Sequence, residues 1–235
     1  ALEAAMASLR DAPSADTLNT ARTAWKKARS TWKFTDAFVV GPSADIGVSG
    51  KIDFPATPKI VEAPIAGTTA LDEATVGNLG GDQQGFPAIE VVLFDPARDD
   101  AAMLAAFGAA GSRRGVFGAL LATLLKAKVT SVRDAWTGGY ATELTTAGQG
   151  SKTYTTEHQG IDVIVNALVS GAEIIIATHL AKPLGIDKDG KPLPDLIESP
   201  RSDYSIDDIL AELAGIEGVY LGTRNGASGL PLADA

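Results

Sequence analysis

Few residues in this chain can bind a metal ion or carry out acid–base chemistry. The sequence contains no cysteine, which excludes thiolate nucleophiles, disulfides and cysteine-based zinc sites. Its two histidines, His158 and His179, are 21 residues apart, so the HExxH helix of zinc peptidases is excluded as well. We interpret His179, on a largely apolar segment, as a hydrogen-bonded core or boundary histidine, and His158 as a solvated one. Metal chemistry would therefore depend mainly on carboxylates that the fold brings together.

The segment 85–90, with the sequence GFPAIE, is the strongest candidate for such a site. Pro87 suits the first turn of a helix, where its missing N–H costs nothing, and the apolar residues that follow predict that the helix continues. Glu90 then lies one turn into an apolar helix, where an unpaired carboxylate would be costly. It is either a metal or substrate ligand, or a carboxylate that is ion-paired or placed at a helix N-terminus, with Arg29 as a partner in either case.

A single carboxylate does not make a transition-metal site, so Glu90 needs partners from other elements. Asp36, Glu62 and Asp95 are the acidic residues to test first. We predict that Glu90 and Asp36 are metal ligands. The cofactor expected is a divalent metal or iron, and otherwise none.

The composition is that of a soluble globular protein, with 235 residues of which 45% are hydrophobic and 21% are charged. The formal charge of -9 repels phosphate backbones, so no nucleic-acid partner is expected, whereas cation binding is compatible with it. The most apolar run, residues 161–181, contains Asp162, Asn166, Glu173 and His179. We therefore predict a buried helix there rather than a membrane span.

Hydrophobic periodicity predicts an all-α fold, an antiparallel helical bundle with a long irregular excursion over residues 42–84. Long helices are predicted from Ser14 to Gly41, over 113–146 with a kink at Gly138 and Gly139, and over 153–181. A shorter helix follows residue 85, and a last helix begins at Ser205 with a capping box to Asp208.

The apolar stripe of the first long helix includes Leu18, Ala21, Trp25 and Trp32, which recur at the spacing of a bundle helix. Its basic residues lie off that stripe and are predicted to face water. They are Lys26, Lys27, Arg29 and Lys33.

Several segments, in the same order, resemble the imelysin family. The W…R…E-x-F…GP segment of the family resembles Trp25, Arg29, Trp32, Asp36, Phe38, Gly41 and Pro42, and its D…WP stretch resembles residues 52–55. Its GxHxxE signature resembles residues 85–90, and its W…GY segment resembles Trp136, Gly139 and Tyr140. Its ESP-x-S…S segment resembles Glu198, Ser199, Pro200, Ser202 and Ser205, and its closing segment resembles residues 219–222 with Gly229 and Leu230. The resemblance covers nearly the whole chain, which is therefore expected to form a single imelysin-like domain over residues 1–235. Family members usually continue into a further helical half.

The resemblance implies a protein of the bacterial cell envelope, periplasmic or anchored to the outer membrane as a lipoprotein, and linked to iron or other metal uptake. It implies a metal ion or a small envelope ligand as the binding partner, together with a membrane-transport partner. The histidine and glutamate of the signature are the proposed metal ligands of the family. Pro87 stands in the place of that histidine, which removes half of a ligand pair.

Three functions therefore stay open. The first is an exported protein that binds a metal ion or envelope ligand in a cleft near Glu90. The second is the metallopeptidase activity implied by the family, and the third is a structural or interaction protein that has lost the site. The residues expected to line the cleft are Arg29, Pro87, Tyr140, Ser199 and Ser202.

Overall fold

The protein is represented here by a computed structural model, which describes residues 1–36, 39–186, 188–224, 227–229 and 232. Phe38 and Leu230, two of the positions that resemble the imelysin family, lie outside the described residues.

The described part of the chain is almost entirely helical, which confirms the all-α prediction. Its α-helices are α1 Leu2–Asp11, α2 Ala15–Asp36, α3 Pro42–Asp45, α4 Pro58–Ala66, α5 Glu73–Gly77, α6 Gly85–Leu93, α7 Asp100–Phe107, α8 Arg113–Ala135, α9 Ala141–Thr145, α10 Glu157–Ile174, α11 Lys182–Leu184 and α12 Ser205–Tyr220. Single 3₁₀ turns lie at Ser49–Lys51, Gly81–Gln83 and Pro194–Leu196, and π-helical segments at Trp136–Tyr140 and Ile175–Ala181. Two short antiparallel strands, β1 Thr223–Arg224 and β2 Ala227–Ser228, follow α12.

The structure tests three predictions about where the helices begin and bend. The hydroxyl of Ser14 accepts the N–H of Thr17, as expected of the residue that caps α2. Gly139 has non-helical dihedral angles, with φ 157° and ψ -31°, so the predicted kink at the glycine pair is confirmed. The predicted capping box at Ser205 is wrong, because Tyr204 is the N-cap and the hydroxyl of Ser205 instead donates to the carbonyl of Glu198.

The chain forms two compact units, each assembled from separate stretches of sequence. Unit 1 comprises residues 1–29, 46–133 and 201–203. Within it, α6 packs against α4 and is buried on almost every side. This explains why its sequence is a continuous apolar run rather than an amphipathic stripe. Glu90 is the only charged residue of this helix.

Unit 2 comprises residues 30–45, 134–200 and 204–235. Here α10 continues through the π-helical segment into α11 and packs against α12. The buried face of this long helix is narrow, and among the described residues it includes Gly160, Leu168, Gly171 and Ile175. Gly160 allows Ala147 to approach closely, because an added Cβ would lie 2.7 Å from the Ala147 Cβ.

The prediction of a buried helix over 161–181 is confirmed for the helix and wrong for its burial. Large apolar side chains on its other faces are exposed, including Val169 at 51% and Ile176 at 64%. The apolar residues lie all around this helix, and unit 2 covers only one face of it. On α12 the side chains of Ile206 and Leu210 are exposed as well, at 65% and 58%.

Two helical stretches of the described chain are long and apolar enough to cross a membrane, by length and composition alone. They are Arg113–Thr145, whose most apolar window is 44% buried, and Glu157–Leu184, whose most apolar window is 17% buried. Core helices of soluble proteins meet the same criteria, so this finding is weak evidence for a membrane span.

Candidate functional site

Glu90 is held inside unit 1 by hydrogen-bond donors. It lies in the middle of α6 and is only 3% exposed. Its Oε1 accepts the backbone N–H of Arg201 at 3.1 Å, the N–H of Ser202 at 2.9 Å and the hydroxyl of Ser202 at 2.6 Å. Burial raises the pKa of Glu90 above its ordinary value, and the hydrogen bonds from Ser202 and Arg201 and the charge of Arg29 only partly offset this.

Arg29 contacts two other sequence segments of unit 1. The prediction that it faces water is wrong. Its side chain is 2% exposed, forms an ion pair with Asp53 and lies over the ring of Phe86 at 5.7 Å. The N–H of Phe86 donates to the carbonyl of Ile52 at 2.8 Å. A Cβ on Gly85, where φ is 74°, would lie 2.1 Å from that carbonyl oxygen, so only glycine fits there. The stretches at 52–55 and 85–90, both similar to imelysin segments, are therefore held in contact by this hydrogen bond and by Arg29.

The acidic residues proposed as partners of Glu90 each have an ion-pair partner of their own. The pairs are Glu62 with Arg114, Asp95 with Arg98 and Arg201, and Asp36 with Lys33. A carboxylate engaged by a basic side chain must give up part of that interaction to bind a metal ion. The prediction that Glu90 and Asp36 are metal ligands is not tested by these contacts and stays a prediction.

The contacts described for Oε1 of Glu90 are with hydrogen-bond donors rather than with further metal ligands. Pro87 is helical and half-buried, and it offers no ligand atom. One oxygen of Glu90 already accepts three hydrogen bonds, as a carboxylate does when its charge is satisfied by N–H and O–H groups. Ser202, predicted as a cleft residue, supplies two of those donors.

Two further predicted cleft residues, Tyr140 and Ser199, are packed within unit 2. The hydroxyls of Tyr140 and Tyr154 are 2.6 Å apart, and the ring of Tyr140 packs edge-on against Trp136. Burial raises the pKa of Tyr140 above its ordinary value. Ser199 donates its hydroxyl to Asp208 Oδ2 at 2.6 Å, and both residues are buried. Whether these side chains line a ligand cleft stays a prediction.

Unit 2 also contains a cluster of one imidazole and two carboxylates that the sequence analysis did not assemble. One ligand atom from each of His179, Glu198 and Glu212 lies within 4.8 Å of the other two. His179 Nδ1 is 2.9 Å from Glu212 Oε2, and His179 Nε2 is 3.5 Å from Glu198 Oε1. Both ring nitrogens of His179 therefore face carboxylate oxygens.

Lys33 completes this cluster with an ammonium group. Its Nζ lies 2.9 Å from Glu198 Oε2, 2.9 Å from Glu212 Oε1 and 3.2 Å from Asp36 Oδ2. The side chain of Lys33 is 2% exposed, so the prediction that it faces water is wrong. Each of the two glutamates bridges Lys33 and His179, which makes a closed ring in which basic side chains alternate with carboxylates. We call Lys33, Asp36, His179, Glu198 and Glu212 the charged ring.

The pKa values of the charged ring reflect this mutual pairing. Burial alone would lower the pKa of His179, but its hydrogen bond with Glu212 and the charges of Glu198 and Glu212 outweigh burial, and the pKa is raised. Burial would raise the pKa of Glu212, but His179 and Lys33 outweigh it, and the pKa is lowered. The interpretation of His179 as a hydrogen-bonded histidine at the core boundary is confirmed, and His158 is exposed as expected.

The sequence positions of Lys33 and Glu212 indicate that both residues are buried. Lys33 follows Trp25 and Arg29 at intervals of four residues, which places all three on one face of α2, and all three are buried. Asp208, Glu212 and Gly215 share the buried face of α12 in the same way. A charged residue in register with buried residues was the signal that sequence reasoning missed. Glu198 lies in a loop, where no periodicity could reveal its partners.

The donor set of the charged ring fits a metal ion. One imidazole nitrogen and carboxylate oxygens are the ligands that zinc, iron, manganese and related divalent ions bind in proteins. Glu212 is 3% exposed and the side chain of His179 is 7% exposed, so packing fixes these two ligands, whereas the side chain of Glu198 is 32% exposed. A metal ion bound there would compete with the ammonium of Lys33 for the two glutamates.

The fold and this cluster define the class: an all-α protein with a candidate metal-binding site made of imidazole and carboxylate groups. The chain matches the family described as Imelysin over residues 1–235 and belongs to that family, which confirms the resemblance drawn from the sequence.

Known relatives agree with this assignment. The chain is 27% identical over 233 residues to iron-regulated protein A of Synechococcus elongatus, covering 95% of this chain and 58% of the relative, so it spans less than two thirds of that protein. Its fold is similar to a protein described as an iron-regulated protein A precursor from Parabacteroides distasonis, with TM-score 0.75, 19% identity and coverage of 97% of this chain and 69% of the other. An imelysin-like protein from Psychrobacter arcticus gives TM-score 0.71, 17% identity and coverage of 96% and 69%. The two solved structures support the imelysin-like fold of this chain.

Proposed function

We propose that this chain is part of an exported imelysin-family binding protein of the bacterial cell envelope, and that it binds a metal ion through His179, Glu198 and Glu212. The observation that carries the proposal is the approach of one ligand atom from each of these residues to within 4.8 Å of the others. The iron-related name of the Synechococcus relative supports a role in metal uptake, in which the protein would deliver its ion to a membrane-transport partner.

The ligand set suits capture of an ion rather than permanent burial of one. Three protein ligands leave positions of a four- to six-coordinate ion for water or for a group of a partner. A neutral imidazole is needed for ligation, so loading must release any proton that His179 holds between the two glutamates. Lys33 must at the same time give up part of its contact with the glutamates.

The Glu90 site has a separate role in this proposal. Glu90 orders the stretch at Arg201 and Ser202 through hydrogen bonds, and it stabilises unit 1 without a metal ion. The signature position therefore supports the fold, and the candidate ligands lie in unit 2.

Titration calorimetry with Zn²⁺, Co²⁺, Mn²⁺ and Fe²⁺ tests the proposal, with Fe²⁺ kept under anaerobic conditions. We expect binding of at least one of these ions by the unmodified protein and its loss, by at least about 10-fold in affinity, in His179→Gln and Glu212→Gln. The matched controls are His158→Gln and Glu217→Gln, which alter the exposed histidine and an exposed glutamate of α12 and should leave affinity unchanged.

Three outcomes contradict the proposal in different ways. Absence of binding with all four ions would make the charged ring a purely structural network. Loss of binding in Glu90→Ala, with binding kept in His179→Gln, would move the site to unit 1. For export, cells expressing the natural full-length gene should contain the protein in the envelope fraction, and recovery only from the cytoplasm would refute that part.

A further inference from the structure

The charged ring already contains a cation, and this observation bears on which ions it accepts. The ammonium of Lys33 lies within 3.2 Å of oxygens from Asp36, Glu198 and Glu212. A group of three carboxylates around one positive charge is a built cation site, and the position of that charge is fixed because the side chain of Lys33 is 2% exposed.

The ion pairs of the ring leave an excess of negative charge. With His179 neutral, as metal ligation requires, the five side chains of the charged ring carry three negative charges and one positive charge, an excess of two negative charges. A divalent cation bound by His179, Glu198 and Glu212 would bring this group to neutrality. A trivalent cation would leave a net positive charge in a buried place, where uncompensated charge is costly.

Lys33 need not leave the ring when a metal ion enters. Its Nζ contacts Asp36, three residues further along α2, and Asp36 is not one of the three candidate ligands. Glu198 and Glu212 each have two oxygens, so one oxygen can bind the metal ion while the other stays near the ammonium. Repulsion between the ammonium and the bound ion then grows with the charge of the ion.

We propose that Lys33 is a specificity-determining residue, which makes this site prefer divalent over trivalent cations, with Asp36 acting in the opposite sense. This inference rests on the proposed function, because it requires that a metal ion binds to the charged ring. It assigns a role in ion choice to two residues of α2 that are not themselves among the three candidate ligands.

The test compares Zn²⁺, followed by calorimetry, with Tb³⁺, followed by its luminescence, and uses the ratio of their affinities. The intrinsic difference between the two ions cancels when ratios are compared between variants. In Lys33→Gln we expect the ratio to shift toward Tb³⁺ by about 10-fold or more, because removing a positive charge favours the trivalent ion most. In Asp36→Asn we expect a shift of similar size toward Zn²⁺.

The double variant Lys33→Gln, Asp36→Asn restores the excess of two negative charges and should return the ratio to that of the unmodified protein. Lys27→Gln is the matched control, because it removes an exposed lysine of the same helix, and it should change the ratio by less than about 2-fold. Circular dichroism checks that each variant is helical. If Lys33→Gln does not fold, Asp36→Asn and the double variant decide.

The outcomes distinguish the role of Lys33 and Asp36 in ion choice from metal binding itself. An unchanged ratio in folded Lys33→Gln, or a shift toward Tb³⁺ in Asp36→Asn, overturns the role of these residues while metal binding itself stands. If the unmodified protein binds none of Zn²⁺, Co²⁺, Mn²⁺ and Fe²⁺, the proposed function fails, and this inference fails with it.

Discussion

Two glutamates, one in each unit, are equally buried and have opposite electrostatic environments. Glu90 of unit 1 and Glu212 of unit 2 are each 3% exposed. Glu90 is surrounded by N–H and O–H donors of Arg201 and Ser202, and its pKa is raised by burial. Glu212 contacts the ammonium of Lys33 and the imidazole of His179, and its pKa is lowered because these contacts outweigh burial.

The difference shows how the same side chain serves two purposes. A carboxylate that accepts hydrogen bonds from N–H and O–H groups anchors a stretch of backbone, as Glu90 does at Arg201 and Ser202. A carboxylate between an ammonium and an imidazole, as Glu212 is, depends on its charge, and such a site can exchange one cation for another. For this reason the proposed metal site is placed in the charged ring rather than at the signature glutamate.

The largest effect should come from removing Glu212. Glu212→Ala leaves Lys33 and His179 buried with one carboxylate fewer, and loss of one partner of a buried ion pair costs about 3–5 kcal/mol. Urea denaturation followed by circular dichroism measures the loss. Glu217→Ala, on an exposed position of the same helix, should change stability by less than about 0.5 kcal/mol. If Glu212→Ala lowered the free energy of unfolding by no more than the control does, Glu212 would not be part of a buried ion-pair network.

Removing Glu90 should cost less, and the cost should depend on shape more than on charge. Glu90→Ala leaves the N–H groups of Arg201 and Ser202 without their acceptor, a loss of about 1–3 kcal/mol. Glu90→Gln keeps an acceptor oxygen and should cost less than about 1 kcal/mol, measured in the same urea experiment. If alanine and glutamine were equally destabilising, the charge of Glu90 would be the important property, and the contrast with Glu212 would be lost.

The smallest effect, and the sharpest contrast, is in the pH dependence of the two glutamine variants. The raised pKa of Glu90 gives stability that is present below the ordinary value of 4.5 and is lost as pH rises through the folded-state pKa. The lowered pKa of Glu212 gives stability that is present above 4.5 and is lost as pH falls through the folded-state pKa.

Between pH 7 and pH 4 the two variants should therefore diverge by on the order of 1 kcal/mol. The destabilisation caused by Glu212→Gln should shrink toward pH 4, and Glu90→Gln should become less favourable relative to the unmodified protein. Urea titrations of all three proteins at both pH values measure this. Parallel changes in the two variants would show that the two environments do not differ in sign.

Much of the fold followed from local patterns in the sequence. The helix at α6 was predicted from the continuous apolar run after Pro87, and the kink before α9 from the glycine pair. These features depend on residues close together in the chain, where periodicity and backbone freedom decide the outcome. Burial of the long helix at 161–181 was not predictable in the same way, because hydropathy does not show which faces other elements cover.

The candidate site was less accessible to sequence reasoning. Glu90 was recognised as a buried carboxylate, but its donors at Arg201 and Ser202 are more than a hundred residues away in the chain. Lys33 was assigned to the water-facing side because it lies off the apolar stripe of Leu18, Trp25 and Trp32, although two intervals of four residues place it on the same buried face as Trp25. His179 meets Glu198 and Glu212 only in the folded chain, and no local pattern encodes that meeting.

The exposed apolar side chains of α10 and α12 have a calorimetric consequence. Unfolding raises the heat capacity of a protein because apolar surface becomes newly hydrated. Side chains such as Val169, Ile176 and Ile206 are already in contact with water in the folded chain, so they add little to that increase. We therefore expect the heat-capacity increment of this chain to fall below the usual ~12–15 cal/mol/K per residue, which would make its stability curve unusually flat with temperature.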